Sequence, residues 1–225
     1  MSIENPLGAE AAFAVAGIAI HPAIAAGLAV SLFLALGAFA VRGRLATRLR
    51  VVTAIEAVVA LIESELAQIF DGDPRPYLPL LATLFVFLLA GNLSAALPGM
   101  RAPAEYLETA AALAIVVFAS VHFYGLRKRG LAAHLRHYAE PNFLFVPFHV
   151  AGEITRTLSL AVRLFGNMMS HGLVLALVAS IAGLVVPIPF LALGLLIGAV
   201  QAYIFTMLAA VYIAAATATP KEKRA

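Results

Sequence analysis

The sequence predicts an all-α membrane protein with five transmembrane helices. Of its 225 residues, 63% are hydrophobic and only 12% are charged, whereas soluble proteins carry about 25% charged residues. The mean hydropathy of +0.97 leaves too little polar surface to coat a water-soluble globule of this size. Five apolar stretches are long enough for the ~20 residues that a membrane-spanning helix requires. The composition therefore argues against a cytosolic enzyme.

The apolar stretches follow one another between two short ends. The chain begins with an acidic lead (1–21) that lacks the positive charge of a signal peptide, and it ends with a tail (217–225). Between them, the predicted spans cover 22–41, 77–97, 106–124, 143–186 and 190–216. The fourth stretch is about twice as long as one crossing requires, and Pro187 with Pro189 predicts a turn before the fifth span. We therefore expect one membrane domain.

The basic residues predict the orientation of the spans. Twelve of the fifteen Lys and Arg residues share one side of the membrane if the N-terminus is outside and the C-terminus inside. This is the distribution that the positive-inside rule requires of the cytoplasmic side. The twelve residues are Arg42, Arg44, Arg48, Arg50, Arg75, Arg127, Lys128, Arg129, Arg136, Lys221, Lys223 and Arg224. Arg101 lies in an outer loop, and Arg156 and Arg163 lie inside the fourth apolar stretch.

Residues 51–70 form a different kind of helix. Glu56 and Glu63 share one face of this segment. Apolar residues recur at helical spacing on another face, at Ile55, Val58, Val59, Ile62, Leu66 and Ile69. Such a pattern is typical of an amphipathic helix that lies on the cytoplasmic membrane surface or against a partner helix.

The fourth apolar stretch carries a polar stripe. On a helix of 100° per residue, with Arg163 as the reference, several polar side chains fall on one face: Arg156, Ser159, Asn167, Ser170 and, further along, His149. Glu153 and His171 are eighteen residues, or five turns, apart and flank the same side of this stripe. One face of a membrane helix is therefore polar where lipid-facing leucines would be ordinary.

The two arginines of this stretch need a reason to be there. An arginine at the bilayer centre costs at least ~2.5–3.5 kcal/mol. Apolar residues continue after Arg163 through 173–178, so its permanently charged guanidinium is far from the surface, and an electrostatic role is favoured. For Arg156, two interpretations stay open: the side chain reaches the cytoplasmic surface, or it acts inside the membrane.

Few other polar groups lie within the spans. Asn92 lies in the second span and Gln201 in the fifth, where Gly194 and Gly198 share the face of Gln201. Small residues allow a neighbouring helix to approach closely, which places Gln201 in the bundle interior. For the two amides alone, interhelical hydrogen bonding is the simpler interpretation.

Two carboxylates open the third span. Glu105 fits a solvated helix start, where the helix dipole favours negative charge. Glu108, one turn deeper, is the better candidate for an aqueous cavity. The chain has no cysteine and no HExxH, GxSxG or P-loop motif. We therefore expect no metal, no cofactor and no nucleic-acid partner.

A specific resemblance rests on the run RLFGNMMSHG (163–172), preceded by RTLSL (156–160). It closely resembles the RxxSLxxRLxxN core of subunit a of F-type ATP synthases, and the matching residues are Arg156, Ser159, Leu160, Arg163, Leu164 and Asn167. The segment VQAYIFTMLAAVYI (200–213) is similar to the last helix of that family, and GNLSAALPG (91–99) to the end of its second span. The resemblance covers nearly the whole chain.

The resemblance implies a mechanism. Subunit a packs two long, tilted helices against a rotating ring of c subunits, each of which bears one membrane carboxylate, and two offset half-channels lead to that interface. Arg163 would face the ring carboxylate and favour its ionised form. Asn167 and Gln201 match positions that hydrate and position this arginine. The implied partners are the c-ring, b-type stator subunits and the lipid bilayer of a bacterial inner membrane. The implied cargo is H⁺ or Na⁺, and the subunit catalyses no bond chemistry.

Three positions depart from the family pattern. Many members carry an acidic residue or histidine where this chain has Gly172, a polar residue at Gly194, and an acidic residue near Ala95. The outer half-channel would then depend on other side chains, and we expect these to be Glu108, His171 and Glu105.

Two other classes of function remain as alternatives. A secondary transporter would use Arg163 to hold an anionic substrate, but such transporters typically contain internal repeats, and none is evident. A membrane scaffold would use the arginines only as ion-pair partners, and it would tolerate Arg163→Lys.

Overall fold

A computed structural model describes residues 13–15, 18–42, 50–97, 100–130, 146–183 and 185–218. Within these ranges, five helices are long and apolar enough to cross a membrane. The all-α prediction is thereby confirmed, with one small addition: strands β1 (Phe13–Val15) and β2 (Ile18–Ile20) pair antiparallel ahead of the first helix. Most of the predicted lead (1–21) and tail (217–225) lies outside the described residues, as do Arg44, Arg48 and Arg136.

The first two helices differ in amphipathicity. Helix α1 (Pro22–Arg42) is apolar throughout, and large side chains such as Phe33 and Phe39 are exposed. Helix α2 (Arg50–Ile69) buries Ile62 and Leu66 against two later helices, which begin at Leu78 and Pro187. It leaves Glu56 exposed. The apolar stripe of α2 thus packs on partner helices.

The next two spans meet through a structured turn. Helix α3 (Leu78–Leu93) has Pro79 in its first turn and continues as a single 3₁₀ turn, Ser94–Ala96. A second 3₁₀ turn, Pro103–Glu105, precedes α4 (Leu107–Arg129). Helix α4 stops at Gly130, whose φ of 79° lies in the left-handed region that glycine adopts without strain.

Helices α5 (Val146–Ala182) and α6 (Pro187–Thr217) contain 37 and 31 residues. At 1.5 Å per residue they are about 56 Å and about 47 Å long, longer than the ~30 Å bilayer core. Each must tilt within a bilayer or extend beyond it. The chain reverses at Gly183, with a φ of 70°. The predicted turn before the fifth span thus lies just ahead of Pro187. The helix itself begins at Pro187 rather than at residue 190, because a proline in the first turn loses no hydrogen bond there.

The helices pack around α6. Helix α3 packs on α6, and α4 packs on both α5 and α6. The core contains fully buried Leu81, Leu164, Phe205 and Ile213. The turn Pro103–Glu105 packs against α5, so the loop between α3 and α4 reaches the polar part of the longest helix.

Candidate functional site

The polar stripe of α5 lies on an exposed face. Arg163 is exposed, and large apolar neighbours such as Leu158 and Val162 are 61% and 52% exposed. The remaining members of the stripe are also exposed: His149, Arg156, Ser159, Asn167 and Ser170. Among the residues that the structure describes, no carboxylate lies within ion-pair distance of Arg163. This face of α5 thus presents two fixed charges, Arg156 and Arg163, between exposed apolar side chains.

One turn beyond Arg163, the stripe is tied to α6. The side-chain nitrogen of Asn167 donates a hydrogen bond to Gln201 Oε1 at 2.7 Å. Gln201 is only 3% exposed, and its Nε2 has no partner among the described residues. An unmade buried donor costs ~1–3 kcal/mol, so this nitrogen is an unsatisfied donor inside the bundle.

Two side chains from neighbouring helices pack against glycines of α6. At Gly198, an added Cβ would lie 2.9 Å from Asn92 Cβ, and Asn92 Nδ2 donates to the Gly198 carbonyl at 2.9 Å. At Gly194, the position of a Cβ is occupied by the imidazole of His171. The close helix approach expected at the Gly194–Gln201 face is confirmed, and Asn92 forms the interhelical hydrogen bond that the simpler interpretation predicted.

Glu105 reaches α5 from the turn before α4. A Cβ added at Gly172 would lie 3.1 Å from Glu105 Oε2, so this carboxylate occupies the space above the glycine. Burial raises the pKa of Glu105; the Ala102 N–H at 3.4 Å and the charge of Arg101 lower it by smaller amounts. The structure thus brings Glu105 and His171 to the two glycines at which the chain departs from the family pattern.

Glu108 lies elsewhere. Its side chain is 64% exposed, and its Oε1 lies 3.8 Å from His21 Nε2 just ahead of α1. The structure therefore places Glu105, rather than the deeper Glu108, against α5. Sequence reasoning favoured Glu108 because it assumed a helical register through residue 105, where the chain instead forms a separate 3₁₀ turn.

A second carboxylate–imidazole pair lies toward the other end of α5. Glu153 Oε2 is 3.2 Å from His122 Nε2 on α4. One turn along α5, the Arg156 guanidinium lies over the Tyr212 ring, 5.5 Å from its centroid. Sequence reasoning missed His122, although a titratable side chain inside the apolar run 106–124 was a visible signal.

Five apolar helices with carboxylates, imidazoles and amides at several of their contacts, and an exposed arginine that has no acidic partner among the described residues, are typical of a multi-pass membrane protein. A family model described as "ATP synthase A chain" matches residues 23–214. The chain therefore belongs to the family of subunit a of F-type ATP synthases, and the resemblance drawn from its motifs is confirmed.

Curated relatives agree with this family. "ATP synthase subunit a 2" of Bradyrhizobium sp. is 52% identical over 158 residues, which cover 70% of this chain and 71% of that protein. "ATP synthase subunit a" of Albidiferax ferrireducens is 47% identical over 73% of this chain and 71% of its own length. "ATP synthase subunit a 1" of Chlorobaculum parvum is 47% identical over 72% and 71%.

Proposed function

We propose that this chain is the ion-channel subunit of a bacterial F-type ATP synthase, which carries ions to and from a rotating c-ring and catalyses no bond chemistry itself. The observation that carries the proposal is Arg163: a permanent charge on an exposed face of a membrane helix, between exposed apolar side chains and with no acidic partner among the described residues. Such a surface fits a partner that is apolar and bears a carboxylate.

Arg163 acts on that carboxylate through its charge. A cation close to a carboxyl group favours the ionised form and promotes release of the bound ion. Because the guanidinium stays protonated, it cannot pass a proton from one half-channel to the other. Ions then cross only when the ring turns.

Asn167 and Gln201 tune the surroundings of this charge. Their hydrogen bond fixes the α5 turn beyond Arg163 against α6. The unpartnered Gln201 Nε2 would donate to a water molecule or to the ring carboxylate during its passage. Both contributions support a hydrated, ordered surface at the point of ion exchange.

The outer half-channel uses Glu105 and His171. The contacts of these side chains with Gly172 and Gly194 supply a carboxylate and an imidazole to the helix surfaces that lack such groups. Glu108 with nearby His21 would supply a second carboxylate and imidazole to the same half-channel. Asn92, Ser159 and Ser170 remain candidates for lining polar groups.

The chain is placed in the bacterial inner membrane with its N-terminus outside and its C-terminus inside. The twelve basic residues on the cytoplasmic side support this orientation. The proposed partners are the c-ring, b-type stator subunits and lipid. H⁺ and Na⁺ are the two candidate ions.

The test is ATP-driven ion uptake by inverted membrane vesicles that contain the complete complex. We expect Arg163→Ala and Arg163→Lys to abolish uptake while the subunit content stays unchanged, because lysine keeps the charge but loses the planar set of donors. Arg75→Ala is the matched control, since Arg75 is 77% exposed outside the spans and its loss should leave uptake intact.

Each alternative predicts another result. Full uptake in Arg163→Ala vesicles would sink the channel proposal, and tolerance of Arg163→Lys would indicate a scaffold. Ion transport by this chain alone in liposomes would indicate a secondary transporter. Uptake that a protonophore collapses assigns H⁺; protonophore-resistant, sodium-dependent uptake assigns Na⁺.

A further inference from the structure

His122 on α4 and Glu153 on α5 form a carboxylate–imidazole contact. His122 Nδ1 lies 2.9 Å from the Phe118 carbonyl oxygen. A carbonyl only accepts hydrogen bonds, so Nδ1 carries a hydrogen. The other ring nitrogen, Nε2, faces Glu153 Oε2 at 3.2 Å, which is close enough for a proton to pass between the two side chains.

This pair is connected to the interior of the bundle. A pocket of about 20 Å³, enough for one water molecule, lies between α4, α5 and α6. Its walls include Glu153, Arg156 and Leu160, and Leu160 is one turn from Arg163. The Glu153 carboxylate is therefore one water-sized step away from the turn of α5 that precedes the arginine.

The pair lies on the opposite side of Arg163 from Glu105. Helices α4 and α5 are antiparallel: Glu105 near the start of α4 contacts α5 at Gly172, and His122 near the end of α4 contacts Glu153. At 1.5 Å per residue, Glu153 precedes Arg163 by ~15 Å and Gly172 follows it by ~14 Å along the axis. Arg163 is thus flanked by one carboxylate–imidazole group on each side.

We propose that Glu153 and His122 are the proton-exchanging group of the inner half-channel, on the cytoplasmic side of Arg163. This rests on the function proposed above and commits the transported ion to H⁺. A proton released by the ring carboxylate moves through the pocket water to Glu153, passes to His122 Nε2 across their contact, and leaves from His122 to cytoplasmic water. One proton enters and one leaves, so the pair returns to its starting state.

The charges around the pair suit this role. Among the described residues, the titratable or charged neighbours are His149 and Arg156 on α5 and Tyr212 on α6. The Tyr212 ring holds the Arg156 guanidinium beside the same pocket, so a permanent positive charge lines the proposed path together with Glu153.

The experiment measures passive proton conductance of the membrane sector in vesicles stripped of the catalytic sector, and ATP-driven proton uptake by the complete complex. Loss of a proton-transfer group typically costs 10²–10⁴ in rate; because water can substitute in part, we expect Glu153→Gln to lower both at least about tenfold. Glu153→Asp should restore most of the conductance, and His122→Gln should change its pH profile. Ser120→Ala, whose hydroxyl bonds Val116 within α4, is the matched control.

The outcomes separate this inference from the function on which it rests. Wild-type conductance in Glu153→Gln and His122→Gln, with uptake lost in Arg163→Ala, overturns the pair and leaves the channel proposal standing. Failure of Glu153→Asp to rescue, with an unchanged pH profile in His122→Gln, shows a purely structural tie and also overturns the inference. Protonophore-resistant sodium uptake overturns the assignment of a proton to the pair.

Discussion

Asn167 on α5 donates a hydrogen bond to Gln201 on α6 across 2.7 Å, and this contact joins the two longest helices one turn beyond Arg163. Neutral hydrogen bonds of this kind contribute ~1 kcal/mol, equivalent to about fivefold in a rate. A double-mutant cycle of Asn167→Ala and Gln201→Ala, measured by ATP-driven ion uptake, should therefore give a coupling of about 1 kcal/mol.

The control cycle pairs Asn167→Ala with Thr83→Val. Thr83 is exposed on α3, and its hydroxyl bonds Pro79 within the same helix. These two changes should be additive within ~0.5 kcal/mol. Equal coupling in both cycles would mean that Asn167 acts on uptake without its contact to Gln201.

Gly194→Ala should displace the imidazole of His171. The new Cβ would occupy the position that the ring holds, and overpacking of this kind costs ~1–3 kcal/mol. We expect lower thermal stability of the purified complex and reduced ion uptake. Gly37→Ala on α1 is the matched control, because nothing lies within 4 Å of its added Cβ. Equal losses in both variants would show that the His171 contact does not decide the result, since alanine is the better helix former and propensity alone predicts no loss.

The imidazole itself should be transferable between helices. His171→Gly removes the ring, and Gly194→His crowds it. The double variant places an imidazole on α6 in the space that the ring of His171 leaves. We expect each single variant to lose uptake and the double variant to recover a measurable part of it. A double variant that is worse than either single one would refute the idea that position, rather than helix of origin, matters.

Glu105 should make the stability of the complex pH-dependent. Burial raises its pKa above the ordinary 4.5, so the folded state binds the proton more tightly than the unfolded state does. The associated stabilisation is fully present below the unfolded pKa and disappears as the pH rises through the raised pKa. Glu105→Gln imitates the protonated side chain. As the pH rises from the unfolded pKa through the raised folded pKa, the stability of this variant should therefore increase relative to that of the wild type.

Thermal unfolding of the purified complex from about pH 4 to about pH 8 measures this difference. Glu105→Asp keeps a titrating carboxyl group and should retain a pH-dependent difference from Glu105→Gln. A gap between wild type and Glu105→Gln that is constant with pH would argue that Glu105 is not desolvated against α5.

The five apolar helices and the small face of α6 could be predicted because each depends on one helix alone. Hydropathy over ~20 residues defines a span, and helical spacing alone places Gly194 and Gly198 on the face of Gln201. The same holds for the stripe on α5, whose polar residues share one face at 100° per residue.

The remaining features depend on how separate elements meet. Proline is common both in the first turn of a helix and in the loop between helices, and the sequence alone does not tell the two apart. Pro187 therefore indicated a chain reversal whose left-handed residue is Gly183. Glu105 reaches α5 because a separate 3₁₀ turn packs there. His122 finds Glu153 only through the register between α4 and α5. No spacing within one segment contains that information.

The two glycines at which this chain departs from its family have a wider consequence for comparing sequences. Compared position by position, Gly172 and Gly194 lack the side-chain groups that the family resemblance leads us to expect there. In space, the oxygens of Glu105 and the ring of His171 stand beside those glycines, so a carboxylate and an imidazole reach the same places from facing elements. Relatives with glycine at either column should therefore be searched for an acid or an imidazole on the facing element.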